Sequence, residues 1–277
     1  MFRLPIILLA VALAGSAPSR TFAQSLPQPE GYDTLSETQP ASVRPYDFAI
    51  LGVKPGMPID EAVALIEAHL GQELSPVEGT LQVENPAGKV FRTKLRVGYV
   101  TPGIDFFLRN QSNKPYDSIQ IDVSSPAIGS VVTAIRREVR VAAGDGPDKA
   151  ALLAQLEGLY GKPSDLPDRG DRMWRWALDR AYEPIPMPEP YDMYSYEACA
   201  HGLPTEGRFD YRIAPVLGEG RKCGMSYVAE YRTKGTETIT MTFRLIDYNL
   251  MVQDRTAARP QIDGTLNTAT QPADMKL

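Results

Sequence analysis

The strongest constraint on this chain is an alternation of period two that recurs along its length. In Thr236–Leu245, Ile239, Met241, Phe243 and Leu245 fall on one side and Thr238, Thr240 and Thr242 on the other. Ser118–Val123 alternates Ile119, Ile121 and Val123 with polar neighbours, and Gly224–Arg232 groups Met225, Tyr227, Ala229 and Tyr231. Successive side chains of a strand point to opposite faces, so each run reads as a strand with one buried and one wetter face, the habit of antiparallel sheets. Ser130–Val141 alternates too, and its β-branched content favours a strand. Arg172–Leu178 puts Trp174, Trp176 and Leu178 together. Thr80–Val83, Val90–Val100 and Asp105–Arg109 complete the strand-like runs, with turns at Gly88 and Pro102-Gly103. After a turn at Asp247–Asn249, Leu250–Val252 reads as a closing strand.

Two stretches break this rhythm with helical spacing. In Gly52–Gly71, Ile59, Ala62, Val63, Ile66 and Leu70 give one apolar face, Asp60 and Glu61 sit in the first turn, and Gly71 suits a left-handed cap. Gly146–Pro163 repeats the plan: Pro147 and Asp148 open it, Leu152, Leu153, Leu156 and Leu159 line it, and Gly161 and Pro163 close it. A strand-rich run follows each helix. The expectation is therefore an α+β chain of two tandem units, residues 46–142 and 143–256, each a helix packed on an antiparallel β-meander.

The ends of the sequence speak to compartment. Arg3 followed by apolar Ile6–Ala14 has the form of a secretory signal, too short to span a membrane, and Thr21-Phe22-Ala23 suits cleavage before Gln24. Residues 1–23 thus read as a signal peptide, and the protein as periplasmic or secreted without stable membrane insertion. Removing Arg3 and Arg20 leaves 277 − 23 = 254 residues with 27 basic and 34 acidic side chains, a net charge of −7, which argues against a nucleic-acid partner. Residues 24–45 carry Pro27, Pro29, Pro40 and Pro45 among polar residues and read as a disordered leader. Residues 257–277 read as a disordered tail. Cys199 and Cys223 are the two cysteines. An even count in an oxidising compartment favours a disulfide between them, and closing a loop of about 25 residues would stabilise by roughly 3 kcal/mol in the chain-entropy model. The alternative, a thiol pair or metal ligands with His201, matches no closed zinc site, so no metal or cofactor is expected.

The stretch GVKPGM (Gly52–Met57), its acidic helix start and the β-meander after it resemble the SmpA/OmlA (BamE-like) family. Two such units in tandem resemble the β-lactamase-inhibitor-protein fold. The phrase YGKPS at Tyr160–Ser164, the Trp174–Trp176 pair and Cys223-Gly224 are also similar to features of exported proteobacterial proteins. The resemblance runs from about Tyr46 to Asp254. It implies the helix-on-meander fold and no catalytic residue.

Candidate site residues are few. The two histidines are His69, late in the first helix where it suits the dipole, and His201, in the cysteine loop near Ser195 and Glu197. No nucleophile elbow, zinc-protease helix, phosphate loop or dinucleotide fingerprint occurs. Asp165, Asp168 and Asp171 surround Arg169 and Arg172 as a solvated turn; glycoside hydrolysis would need two carboxylates across a sugar cleft. A long insertion between Trp176 and Cys223 holds Pro184, Pro186, Pro188 and Pro190 with Tyr182, Tyr191, Tyr194 and Tyr196. Trp174, Trp176, Tyr191, Tyr194 and Tyr196 are the candidate binding residues, since Tyr and Trp concentrate at interfaces. The competing reading packs these rings as an auxiliary core. The sequence therefore points to an exported, soluble, non-enzymatic binding or interaction protein of the cell envelope, its partner another envelope protein. The alternatives are an envelope hydrolase acting on glycan or peptidoglycan, and a periplasmic small-ligand binder.

Overall fold

The alternating runs pair as strands of one sheet. The protein is seen here in a computed structural model that describes residues 26–103, 114–164, 173–185 and 223–268. Strands β1 (Ser75–Glu84), β2 (Val90–Val100), β3 (Tyr116–Val123), β4 (Val132–Arg140), β5 (Met173–Asp179), β6 (Cys223–Lys234) and β7 (Glu237–Asp247) form an antiparallel sheet in the order β1-β2-β3-β4-β7-β6-β5. Among the described residues there are three α-helices: α1 (Ile59–Leu70), α2 (Lys149–Tyr160) and α3 (Tyr248–Asn267).

This arrangement overturns the expected α+β plan of two tandem units over 46–142 and 143–256, each a helix on its own antiparallel β-meander. Ala134–Arg140 of β4 pairs with Thr240–Ile246 of β7, so the edges that would end two separate meanders satisfy each other. The outcome is one large seven-stranded sheet, with four strands from the first part of the chain and three from the second. The capping signals mark helix ends and say nothing about whether neighbouring strands join.

Local chemistry explains the helices. The first N–H of α1 has no side-chain cap; Ile59 N–H donates instead to Ser130 O at 3.2 Å, which stitches the helix start to the segment that leads into β4. Gly71 ends α1 at φ 66°, where a Cβ would be strained. Asp148 caps α2 by accepting from the N–H groups of Ala150 and Ala151. The third helix replaces both the expected strand at Leu250–Val252 and the first part of the expected tail. Asp247 caps it through Leu250 N–H at 2.7 Å, and the helix runs past Pro260 and Gly264. Its buried side includes Leu250, Ala257, Ala258, Ile262 and Leu266. Two of these are alanines, so the stripe is faint to any reading of hydrophobic periodicity.

The helices lie on opposite faces of the sheet and over different halves of it. Ile59, Ala62 and Ile66 of α1 and Leu152 and Leu156 of α2 pack with Ile121, Ile135, Leu245, Tyr227 and Trp176. On the other face, Leu250, Ala258 and Ile262 of α3 pack with Leu81, Phe91, Leu95 and Val97 of the β1–β2 hairpin. Within β2, Val97 is an unpaired extra residue, because Val77 pairs with Gly98 and Glu78 with Arg96. The bulge reverses the alternation, so Phe91, Leu95 and Val97 join the α3 cluster while Tyr99 joins the α1–α2 cluster.

Residues 26–45 do not form the disordered leader expected over 24–45. Gln28 accepts from Lys94 N–H and donates to Lys94 O, both at 2.9 Å, and Asp33 does the same service for Arg92 with its carboxylate and its N–H. The segment thereby covers the β2 edge that β3, paired only at Gly98–Val100, leaves open. Leu35 is buried in the α3 cluster. The segment has little apolar surface of its own, and its order comes from side-chain amides and carboxylates acting as strand partners.

Candidate functional site

The staggered helices leave two diagonal quadrants of the sheet uncovered by any helix among the described residues. One is the α3-side face of β3, β4, β7, β6 and β5 beyond the row of Ala134, Ile246 and Ala177, which packs against Tyr248 and Met251 of α3. Strand registers lay out its rows. Gln120 faces Arg136, Arg136 faces Arg244, Arg244 faces Val228, and Val228 faces Arg175. The next row is Ser118, Glu138, Thr242, Glu230 and Met173, and the one beyond it Tyr116, Arg140, Thr240 and Arg232. Neighbouring positions within a row are about 4.8 Å apart, and rows about 6.8 Å. Across these rows five arginines stand against two glutamates, a net of +3, in a chain whose net charge is −5.

The two glutamates are both engaged. Glu138 accepts from Arg136 Nη2 at 3.1 Å and from the Tyr116 hydroxyl, and Glu230 pairs with Arg244. Arg136 and Arg244 nevertheless sit directly opposite each other in the centre of the sheet, a like-charge pairing that costs stability. Their side chains are 20% and 16% exposed. The Nε of Arg244 is buried with no hydrogen-bond partner among the described residues. Arg136, Arg140 and Arg175 each have further interactions and none is free. Guanidinium groups in such rows offer several parallel N–H donors to a carboxylate, phosphate or sulfate.

The residues expected to bind are elsewhere. Trp174 and Trp176 are core: Trp174 stacks on Tyr231 at 4.4 Å, and Trp176 meets Tyr227 edge-on at 5.6 Å and donates its indole N–H to Gly161 O at 2.9 Å. Burial leaves neither ring a surface to offer a partner. Tyr191, Tyr194 and Tyr196 lie outside the described residues, as do Cys199, His201, Ser195, Glu197, Asp165, Asp168, Asp171, Arg169 and Arg172. Cys223 is fully buried at the start of β6 and is not a free thiol. His69, 3.5 Å from Asp117, ends α1 beside the Asp117–Arg137 ion pair. Among the described residues no cluster of His, Cys, Asp and Glu could hold a metal, and no helix is long and apolar enough to cross a membrane.

One buried polar cluster was not legible in the sequence. Asp247, fully buried, accepts from Tyr46 Oη at 2.6 Å, Tyr182 Oη at 3.1 Å and Arg44 Nη1 at 3.3 Å while capping α3. Burial first, and then the Asp247 charge, push the Tyr182 phenol up to about 12 and the Tyr46 phenol well above the ordinary tyrosine range. Both phenols are therefore protonated donors at neutral pH, which suits a structural clamp joining residues 44–46, the exit of β5 and the start of α3. Its side-chain donors lie 65 to 203 residues from Asp247 along the chain, so no spacing announced it.

No protein-family model matches the chain, nor does any curated protein or solved structure.

Proposed function

We propose that the chain is an exported, non-enzymatic binding protein of the cell envelope that recognises an anionic partner through the arginine rows of β4, β5, β6 and β7. The observation that carries this reading is the direct pairing of Arg136 with Arg244 across the centre of the sheet, flanked by Arg140 and Arg232, with Arg175 buried beside them. A like-charge pair at a ladder centre is a local cost that the flanking Glu138 and Glu230 offset only in part, and such costs concentrate where a site meets its ligand. An oxyanion lying between two guanidiniums removes the repulsion and gains charge-assisted hydrogen bonds.

The mature chain is loaded on dextran-sulfate and uncharged dextran supports and eluted with salt. Retention on an anionic support and none on the neutral one is the expected result. Arg232→Glu combined with Arg244→Gln lowers the eluting salt concentration. A double variant that melts like the parent and elutes with it would refute the reading.

A further inference from the structure

The second open quadrant is the α1-side face of the β1–β2 hairpin, beyond the point where the α1–α2 cluster ends at Tyr99. There Arg92, Lys94 and Arg96 project in line from β2, opposite Gln82, Thr80 and Glu78 of β1. We infer that this line is a docking strip for an extended acidic segment of a partner polypeptide, one with Asp or Glu at every second position. The inference goes beyond the arginine rows and uses none of their residues.

Three observations carry it. The strip is held rigidly in place. Its reverse side is the buried row Phe91, Thr93 and Leu95, and the backbone at Arg92 and Lys94 is pinned by Asp33 and Gln28. Arg92 and Lys94 are not neutralised in place, and Arg96 carries only a long ion pair with half-exposed Glu78. Arg92 lies 5.6 Å over the Tyr32 ring and donates to the neutral Gln82, while Lys94 faces Thr80. Arg96 is held by the Tyr99 hydroxyl at 3.0 Å, and its contact with Glu78 is 3.5 Å long with Glu78 48% exposed. The Nε of Arg96 is buried and has no hydrogen-bond partner among the described residues. Finally, the repeat is that of a strand. Cations two residues apart on β2 recur about every 6.8 Å, and so do alternate side chains of any extended polypeptide. Because Gln28 and Asp33 occupy the backbone groups of the β2 edge, the partner approaches the face through side chains and does not add a strand.

A fluorescently labelled peptide with Glu at every second position and Thr between tests the strip by anisotropy at low salt. Its isomer of identical composition, with all Glu residues in one block, is the control for charge alone. The alternating peptide is expected to bind about tenfold tighter than the block isomer, and Lys94→Glu to weaken it by about tenfold or more. Lys94→Gln serves if the reversal fails to fold. Lys234→Glu, at the exposed β6–β7 turn, and Arg232→Glu leave this binding unchanged. Equal affinity for the two isomers would overturn the inference, as would a folded Lys94 variant with unaltered affinity. Preference of an Arg232→Glu, Arg244→Gln variant for phosphatidylglycerol vesicles or dextran sulfate over the alternating peptide at matched charge would overturn it too. Loss of the strip with retention on dextran sulfate, or the reverse, separates this inference from the arginine-row reading.

Discussion

Replacing Asp247 with alanine should be among the most damaging single changes in the protein. The carboxylate is fully buried, and Arg44 beside it has a side chain only 7% exposed. Truncation leaves a buried guanidinium without its counter-charge, which costs about 3–5 kcal/mol in comparable settings. It also removes the α3 cap at Leu250 N–H, worth about 1 kcal/mol. The Tyr46 and Tyr182 hydroxyls lose an acceptor as well. The expected loss is about 4–6 kcal/mol, a large part of the total stability of an ordinary domain. Asp247→Asn keeps an acceptor oxygen for the cap and should cost about 1–3 kcal/mol. Arg44→Met in the Asp247→Ala background removes the stranded charge, so the double variant should be less damaged than the sum of the single ones by about 1–3 kcal/mol. Urea unfolding followed by the fluorescence of buried Trp174 and Trp176 reads these values from the midpoint at constant slope. An Asp247→Ala loss below about 1 kcal/mol, or strict additivity with Arg44→Met, would refute the clamp.

Alkaline pH should act on the same cluster. The Tyr182 phenol is raised from 10.0 to about 12 in the folded state, so its contribution is complete below pH 10 and is lost as pH climbs toward 12; Tyr182→Phe should flatten that part of a melting-temperature profile. Gly224→Ala should cost at least about 2 kcal/mol in the same urea assay, since a Cβ there would lie 2.1 Å from Asp179 O. Changing Gln28 and Asp33 together to alanine should speed hydrogen exchange at the Arg92 and Lys94 amides and leave the Arg136 amide unaffected, because β4 keeps both its neighbours.

What could be read from the residues was local. Helix ends at Gly71 and Gly161, the cap at Asp148 and the inward sides of β3, β5, β6 and β7 all follow from periodicity and capping chemistry, and the sheet has them. The joining of β4 to β7 did not follow, because register between strands about a hundred residues apart leaves no trace in either strand alone. That same blindness hid the arginine rows, because only pairing sets Arg136 against Arg244. Helix α3 was lost to Pro260, Gly264 and an alanine-rich stripe, each of which argues against a helix before packing is known. Residues 26–45 were misjudged for a related reason, since a polar segment can be ordered by hydrogen bonds to a strand edge that the sequence does not reveal.

Net charge was the least informative number for function. A chain of charge −5 reads as a poor partner for anions. Yet at physiological ionic strength a charge is felt over roughly 8 Å, a distance shorter than the width of a seven-stranded sheet. A docking partner therefore meets the local rows and not the sum. Helices α1 and α2 cover one face over β3 to β5, and α3 covers the other over β1 and β2 and, through Tyr248 and Met251, the near row of β4, β7 and β5, so the polar rows that no helix covers fall in two quadrants on opposite sides of the sheet. Each quadrant carries its arginines on strands whose reverse sides pack into a core cluster, which fixes their spacing more firmly than a loop could. Lys94 on β2 and Arg232 on β6 are four strands apart, about 19 Å across the sheet and more than twice that screening length, so the two surfaces act separately. Raising salt should weaken both, whereas Arg232→Glu and Lys94→Glu should each silence one and spare the other.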